Sequence, residues 1–279
     1  MKILILGYKG MLGNELVKVF TEGNELILWD RGQIDISDRT DVMEKIGGLK
    51  PDVVINAAAY TAVDKAESEK DLVYKVNGCA VGFLSTICKE VNALLIHFST
   101  DYVFDGENHL GYKEDHSYNP INLYGKSKVL GEKMILDIKP RYYIIRTSWL
   151  FGKYGKNFVE TMLRLAGEGK DLKIINDQFG SPTYAKDLAE KVKELIGSEK
   201  PYGIYHITNS ESCNWHEFAL KIFELSGLKP NVKPVTSDEF PTPAKRPTYS
   251  MLVNTKLPPM RSWEEALKAY LIETNKINN

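Results

Sequence analysis

Short apolar runs alternate with stretches of helical periodicity through the first half of the chain. Ile3-Leu4-Ile5-Leu6, Leu26-Ile27-Leu28-Trp29, Val53-Val54-Ile55, Leu94-Leu95-Ile96-His97-Phe98 and Tyr142-Tyr143-Ile144-Ile145 read as strands buried on both faces. Between the first two, Leu12, Leu16, Val19 and Phe20 recur at the period of a helix. Val73, Val76, Val81, Leu84 and Ile87 mark a longer helix over about residues 70–91. Strands and helices in alternation predict an α/β protein with a doubly wound parallel sheet, a Rossmann domain covering residues 1–150.

Past residue 150 the pattern loosens. The glycine-rich run Phe151 to Asn157 leads into a helix carrying Phe158, Met162 and Leu165, and a short strand Leu172–Ile175 follows before the polar turn 176–183. A helix near 184–196 and the strand Gly203–Ile207 are expected to rejoin the main sheet, so segments near 184–208 belong with the first domain. Pro230, Pro234, Pro241, Pro243 and Pro247 forbid a continuous helix there. Helices over Trp215–Leu225 and Ser262–Ile272 complete residues 151–279, which are mainly a smaller C-terminal substrate-binding lobe.

The connections carry the chemistry. Gly7, Gly10 and Gly13 follow the first strand with G-x-x-G-x-x-G spacing and open a helix, the context in which small residues and free amides receive a pyrophosphate. Met11 and Leu12 lie in the same turn. The second strand ends at Asp30-Arg31: an acid there suits the ribose hydroxyls of NAD, an arginine the 2′-phosphate of NADP, and the pair leaves NADH and NADPH both open. Asp35 and Ile36 are candidates to flank the adenine. Ala57, Ala58 and Ala59, followed by Tyr60, leave room for a cofactor beside the third strand's carboxyl end. Asn77, if buried on its helix, has to tie down backbone groups.

Ser99-Thr100-Asp101 ends the fourth strand, which sets the Thr100 hydroxyl at the sheet edge where open α/β sheets bind ligands. A helix beginning near Asn122 carries Tyr124 and Lys128 at i and i+4, on one face. An ammonium a few Å from a phenol favours the phenolate, so this pairing suits proton transfer near neutrality. The cationic loop Pro243 to Pro247 suits an anionic ligand.

Composition narrows the partners. With 36 basic and 37 acidic residues the net charge is −1, and no basic cluster interleaved with aromatics suggests nucleic acid. The N-terminal apolar run reaches a glycine at once, too short for a signal or a membrane span, so a cytoplasmic protein is expected. Cys79, Cys88 and Cys213 form no C-x-x-C pair, and the five histidines lack metal-ligand spacing, so no metal is expected.

Together, Gly7 to Gly13, Asn56 to Glu67, Ser99 to Gly106, Tyr124 to Lys128, Arg146 to Trp149, Asn176 to Thr183 and Arg246-Pro247 resemble the extended short-chain dehydrogenase/reductases and, within them, the dTDP-4-dehydrorhamnose reductases. The resemblance implies an oxidoreductase using NADPH or NADH to reduce C4 of a dTDP-linked 4-keto-6-deoxyhexose. Tyr124 would be its proton donor. Lys128 would hold the nicotinamide ribose and lower the tyrosine's pKa, and Thr100 would hydrogen-bond the substrate oxygen. Gly7, Gly10, Met11, Leu12, Gly13, Asp30, Arg31, Asp35, Ile36 and Ala57 to Tyr60 would line the dinucleotide. Thr100, Asp101, Trp149, Asn157 and Arg246 would meet the nucleotide-sugar substrate. Some relatives hold magnesium between subunits through acidic side chains, but no matching cluster is identified here; a homodimer is a candidate assembly. Two alternatives stand beside this reading. One is a non-catalytic regulatory subunit like the beta subunit of methionine adenosyltransferase, and the other a reductase or epimerase of another nucleotide sugar.

Overall fold

Ile3, Leu4, Ile5 and Leu6 are all fully shielded, so the first apolar run can only be an interior strand. The computed structural model describes residues 1–198 and 200–277. From β1 (Lys2–Leu6) the chain winds through α1 (Met11–Phe20) to β2 (Glu25–Trp29), parallel to one side of β1. It then returns through α2 (Arg39–Leu49) to β3 (Val53–Asn56), parallel to the other side. That reversal opens a crevice between the carboxyl ends of β1 and β3.

A one-turn helix α3 (Val63–Ala66) precedes α4 (Lys70–Tyr74), which runs through a single π turn (Lys75–Cys79) into α5 (Ala80–Glu90). The long helix read from the sequence is therefore one rod with a bulge. Buried Asn77 sits in that bulge, accepts from the Tyr60 backbone N–H at 2.9 Å and donates to the Tyr60 carbonyl and the Ser127 hydroxyl, both at 3.0 Å. The sheet continues with β4 (Leu94–Thr100), α6 (Leu123–Ile138) and β5 (Arg141–Thr147), again parallel. Helix α2 was not anticipated, because only Val42 and Ile46 turn inward and its apolar period is weak. Asp38 starts it by accepting from the Thr40 and Asp41 amides.

Beyond β5 come β6 (Leu150–Phe151), α7 (Phe158–Gly167), β7 (Leu172–Ile175), β8 (Phe179–Gly180) and β9 (Thr183–Tyr184). They are followed by α8 (Ala185–Ile196), β10 (Gly203–His206), β11 (Cys213–Asn214), α9 (Trp215–Ser226), β12 (Val232–Val235) and α10 (Trp263–Glu273). Strand β10 pairs parallel with β5, giving the sheet order β10-β5-β4-β3-β1-β2. Leu188, Val192 and Leu195 of α8 join Leu12, Leu16 and Phe20 of α1 in one core. The other late elements form three two-stranded sheets around a second core that includes Phe151, Val159, Phe218, Trp263 and Tyr270.

Helix α6 is set against the sheet with unusual tightness. Asn122 caps it by accepting from the Gly125 amide at 2.7 Å, and a methyl group on Gly125 would collide with the Tyr102 carbonyl. One turn beyond Lys128, Glu132 is 0% exposed and meets Arg146 of β5, itself 1% exposed. The guanidinium donates to both carboxylate oxygens, through Nη2 at 2.8 Å and Nε at 3.0 Å. Hydroxyls of Ser99 and Tyr118 donate to the same carboxylate at 2.5 and 2.8 Å. Every lone pair of the buried anion is thereby engaged, the condition under which such a pair is tolerated. Glu132→Ala strands the Arg146 charge and is expected to lower the unfolding free energy by about 3–5 kcal/mol in urea titrations. An unchanged midpoint would show that the pair does not hold the helix.

Candidate active site

Two cavities open along the carboxyl edge of the sheet and share Gly10, Ala57 and Ala59 in their walls. They form one cleft. The first, of about 570 Å³, lies where β1, β2 and β3 end and is walled by Gly7, Asp30, Arg31, Asp35, Ile36 and Ala58. Leu72 and Lys75, which sequence reasoning did not single out, also line it, Leu72 from α4 and Lys75 from the π turn, with no local motif to mark them. The second cavity, of about 500 Å³, brings together Met11, Leu12, Gly13, Thr100, Asp101, Tyr124, Lys128 and Trp149. Tyr154 and Lys156 from the loop before α7 also reach it and were likewise not foreseen.

The glycine turn fits a pyrophosphate. Gly7 adopts φ +77°, and Gly10 caps α1 without any side-chain hydrogen bond, so the first amides of the helix face the cleft with the positive end of its dipole. A Cβ on Gly13 would strike the Gly7 carbonyl and the Tyr8 backbone. Asp30 is already engaged: it pairs with Lys9 and accepts from the Gly32 amide at 2.8 Å, and these contacts hold its carboxyl below the usual range. Asp35 is lowered by the Ser37 hydroxyl and amide, then by the Lys75 and Arg31 charges.

At the other end, Thr100 donates to Asp101 at 2.7 Å and accepts from the Tyr102 amide at 3.2 Å. Burial lifts the Asp101 carboxyl to about 6, and among the described residues its second oxygen has no partner. Burial, then the nearby Asp101 charge, raises the Tyr124 phenol above its ordinary range, and the Thr100 hydroxyl opposes them. Tyr124 meets Tyr102 edge to face, ring centroids 6.0 Å apart. Lys128 is 2% exposed, and its pKa falls to about 8 because burial outweighs the attraction of Glu132. Its Nζ donates to the Phe98 carbonyl at 2.6 Å and lies 3.4 Å from His97 Nε2. Lys128 gives one of its donors to the strand, and it is burial together with the Asp101 charge that sets the Tyr124 phenol high.

Trp149 turns the chain from β5 into the second lobe with φ +46°, a strained conformation for a bulky residue. Trp215 holds it there by stacking, rings 3.5 Å apart between centroids and 7° from parallel. Three expected site residues are not among the walls of either cavity, although Arg246 lies beside Tyr102, whose ring meets Tyr124. Tyr60 lines neither cavity, and its hydroxyl donates to Glu69 at 2.6 Å. Asn157 caps α7, accepting from the Glu160 amide at 3.1 Å and donating to the Gly152 carbonyl at 2.8 Å. Arg246 is held bidentate by Asp64 at 2.9 and 2.8 Å, a bracket between the proline-rich loop and α3. Among the described residues no group of three or more His, Cys, Asp or Glu could hold a metal, and no helix is long and apolar enough to cross a membrane.

A family model described as RmlD substrate binding domain matches residues 1–276. The spore coat polysaccharide biosynthesis protein SpsK of Bacillus subtilis is 42% identical over 277 residues, covering 98% of this chain and 97% of its own. The dTDP-4-dehydrorhamnose reductase of Aggregatibacter actinomycetemcomitans is 40% identical, covering 96% of this chain and 97% of its own. A crystal structure of dTDP-4-dehydrorhamnose reductase from Bacillus anthracis, in complex with NADP, superposes with a TM-score of 0.94 at 40% identity, over 98% of this chain and 99% of that one. A match of this extent, on a cleft of this shape, makes the chain a member of the RmlD family, the family of the dTDP-4-dehydrorhamnose reductases.

Proposed function

We propose that this chain is an NAD(P)H-dependent reductase converting dTDP-4-dehydro-L-rhamnose to dTDP-L-rhamnose in the cytoplasm. The observation that carries the reading is the single cleft in which a glycine-turn cavity runs into one walled by Thr100, Tyr124 and Lys128. The named activity of relatives at 40% identity and the NADP complex of the Bacillus anthracis enzyme support it. A purely regulatory dinucleotide-binding role would not require that hydroxyl, phenol and amine to share one wall.

The residues present fit a dinucleotide. The amides of Met11, Leu12 and Gly13 and the dipole of α1 would receive its pyrophosphate, with Ala57 to Ala59 flanking it and Lys128 holding the nicotinamide ribose. When bound, the dinucleotide supplies the hydride that the C4 carbonyl carbon of the sugar accepts. Tyr124 then gives its phenolic proton to the nascent alkoxide, so the carbonyl ends as an alcohol and the phenol as a phenolate. A phenol raised by burial keeps that proton until charge develops on the substrate oxygen beside it. Thr100 donates to the same oxygen, and Lys128 supplies positive charge where negative charge accumulates, the contribution that preorganised groups make most strongly. Asp101 lines the same cavity and would accept from a sugar hydroxyl, and Trp149 offers an apolar face to the ring. Asn157 and Arg246, engaged in the framework, contribute indirectly.

Beyond Asp30, the cations Arg31 and Lys75 border the first cavity and favour the extra phosphate of NADPH over NADH.

Tyr124→Phe is expected to reduce turnover by about 10²–10⁴-fold, the scale on which a general acid contributes, with dinucleotide binding nearly intact. Steady-state kinetics with dTDP-4-dehydro-L-rhamnose together with a fluorescence titration of NADPH decides it, and comparable turnover in the variant would rule out the assigned role. Arg31→Ala is expected to weaken NADPH by about tenfold, roughly 1.4 kcal/mol, and to leave NADH affinity unchanged. Equal losses for both would mean that Arg31 does not read the 2′-phosphate.

A further inference from the structure

The mechanism leaves one buried titratable group unused. His97 of β4 is 1% exposed and lies between Asn56 at the end of β3 and Lys128 on α6. Its two ring nitrogens have different neighbours, and the hydrogen bonds around them fix which one carries the proton.

Asn56 Oδ1 accepts from the Ala58 amide at 3.2 Å, and this sets the orientation of the side-chain amide. Asn56 Nδ2 consequently faces His97 Nδ1, at 3.2 Å. An amide nitrogen can only donate, so Nδ1 has to be the bare, accepting nitrogen. Burial and the Lys128 charge push the His97 pKa well below its ordinary value, so the ring is neutral and its single proton sits on Nε2. That Nε2–H points at Lys128 Nζ, 3.4 Å away. An ammonium has three donors and no acceptor, so a charged Lys128 meets a second donor in a site without water-like compensation. An uncharged amine offers its lone pair to Nε2–H and still donates to the Phe98 carbonyl at 2.6 Å. The row therefore offers the extra proton of a charged Lys128 no acceptor at His97, which makes that proton easier to lose.

We propose that His97 is a positioning residue that, locked in the Nε2–H tautomer by Asn56, weakens the hold of Lys128 on its proton so that the lysine changes charge within the working pH range. The groups facing Lys128 are His97 and the Phe98 carbonyl from β4, with Glu132 and Tyr124 from its own helix; of these only Glu132 favours the charged state by its own charge. The proposal rests on Lys128 belonging to the catalytic set, and it ties the alanine segment beside the dinucleotide cavity to that lysine through Ala58, Asn56 and His97.

The test is an NMR titration of the full chain labelled at lysine Cε and histidine nitrogen, with the Lys128 signal assigned by its loss in Lys128→Met. In the wild type His97 is expected to show an unprotonated Nδ1 and a protonated Nε2, with Lys128 titrating near pH 8. In His97→Gln the new side-chain amide can turn its oxygen toward Nζ, and the Lys128 proton affinity is expected to rise at least about tenfold, one pH unit. Asn56→Leu, which frees the ring to move its proton to Nδ1, is expected to shift Lys128 in the same direction, and serves if His97→Gln does not fold. A protonated Nδ1 in the wild type, or a Lys128 titration that stays put in the folded variants, would overturn the proposal. Because the titration does not depend on turnover, wild-type activity in Lys128→Met would overturn the catalytic reading of the lysine and leave the tautomer result standing.

Discussion

The site depends on a buried ion pair that lines neither cavity. Glu132 and Arg146 join α6 to β5, and Ser99, which also donates to that carboxylate, joins both to β4 one residue before Thr100. Tyr124 and Lys128 ride on the same helix, two turns and one turn ahead of Glu132. A helix free to slide by even 1 Å would separate the phenol from the strand end it must face, and misplacements on that scale can lower rates about 10²-fold. Removing one partner of such a pair leaves a buried charge uncompensated, so helix and strand are held in the register that keeps both. The tight contact of Gly125 with the Tyr102 carbonyl and the Asn122 cap act in the same sense at the helix's first turn.

Much of this was legible in the chain. Strands shielded on both faces announce themselves as unbroken apolar runs, and the glycine turn between β1 and α1 and the Tyr124/Lys128 pair each carry a local signature. The segment 62–67, part of what made the resemblance particular, turns out to brace the fold. Asp64 holds Arg246, and Glu67 accepts from the Leu123 amide at 2.8 Å, at the start of the helix that carries Tyr124 and Lys128. The turn 176–180 behaves alike, with Asp177 and Gln178 fastening Ser237 across the second lobe.

What escaped was decided by partners distant in sequence. No local pattern says that Arg246 will be claimed by Asp64, 182 positions away, or that the Tyr60 hydroxyl will bond Glu69 while Asn77 secures its backbone. Asn157 looked like a ligand and is a helix cap, a role its position before Phe158 could have suggested. Leu72 reaches the cleft from α4 and Lys75 from the π turn that follows it, placements that no local pattern marks. The electrostatics were the hardest to foresee. Spacing alone made Lys128 a neighbour able to lower the phenol, whereas burial lifts the phenol and depresses the lysine, each toward its uncharged form.

The phenol is thereby held in its protonated form, and the lysine sits close to the pH at which it gives up its charge. The most direct measurement follows the label in a single turnover with NADPH deuterated at the transferring position of the nicotinamide and dTDP-4-dehydro-L-rhamnose. The account predicts deuterium on C4 of the dTDP-L-rhamnose formed, with the hydroxyl proton drawn from the protein and exchangeable with water. Deuterium retained in the dinucleotide while the sugar is consumed, or found on a ring carbon other than C4, would contradict it.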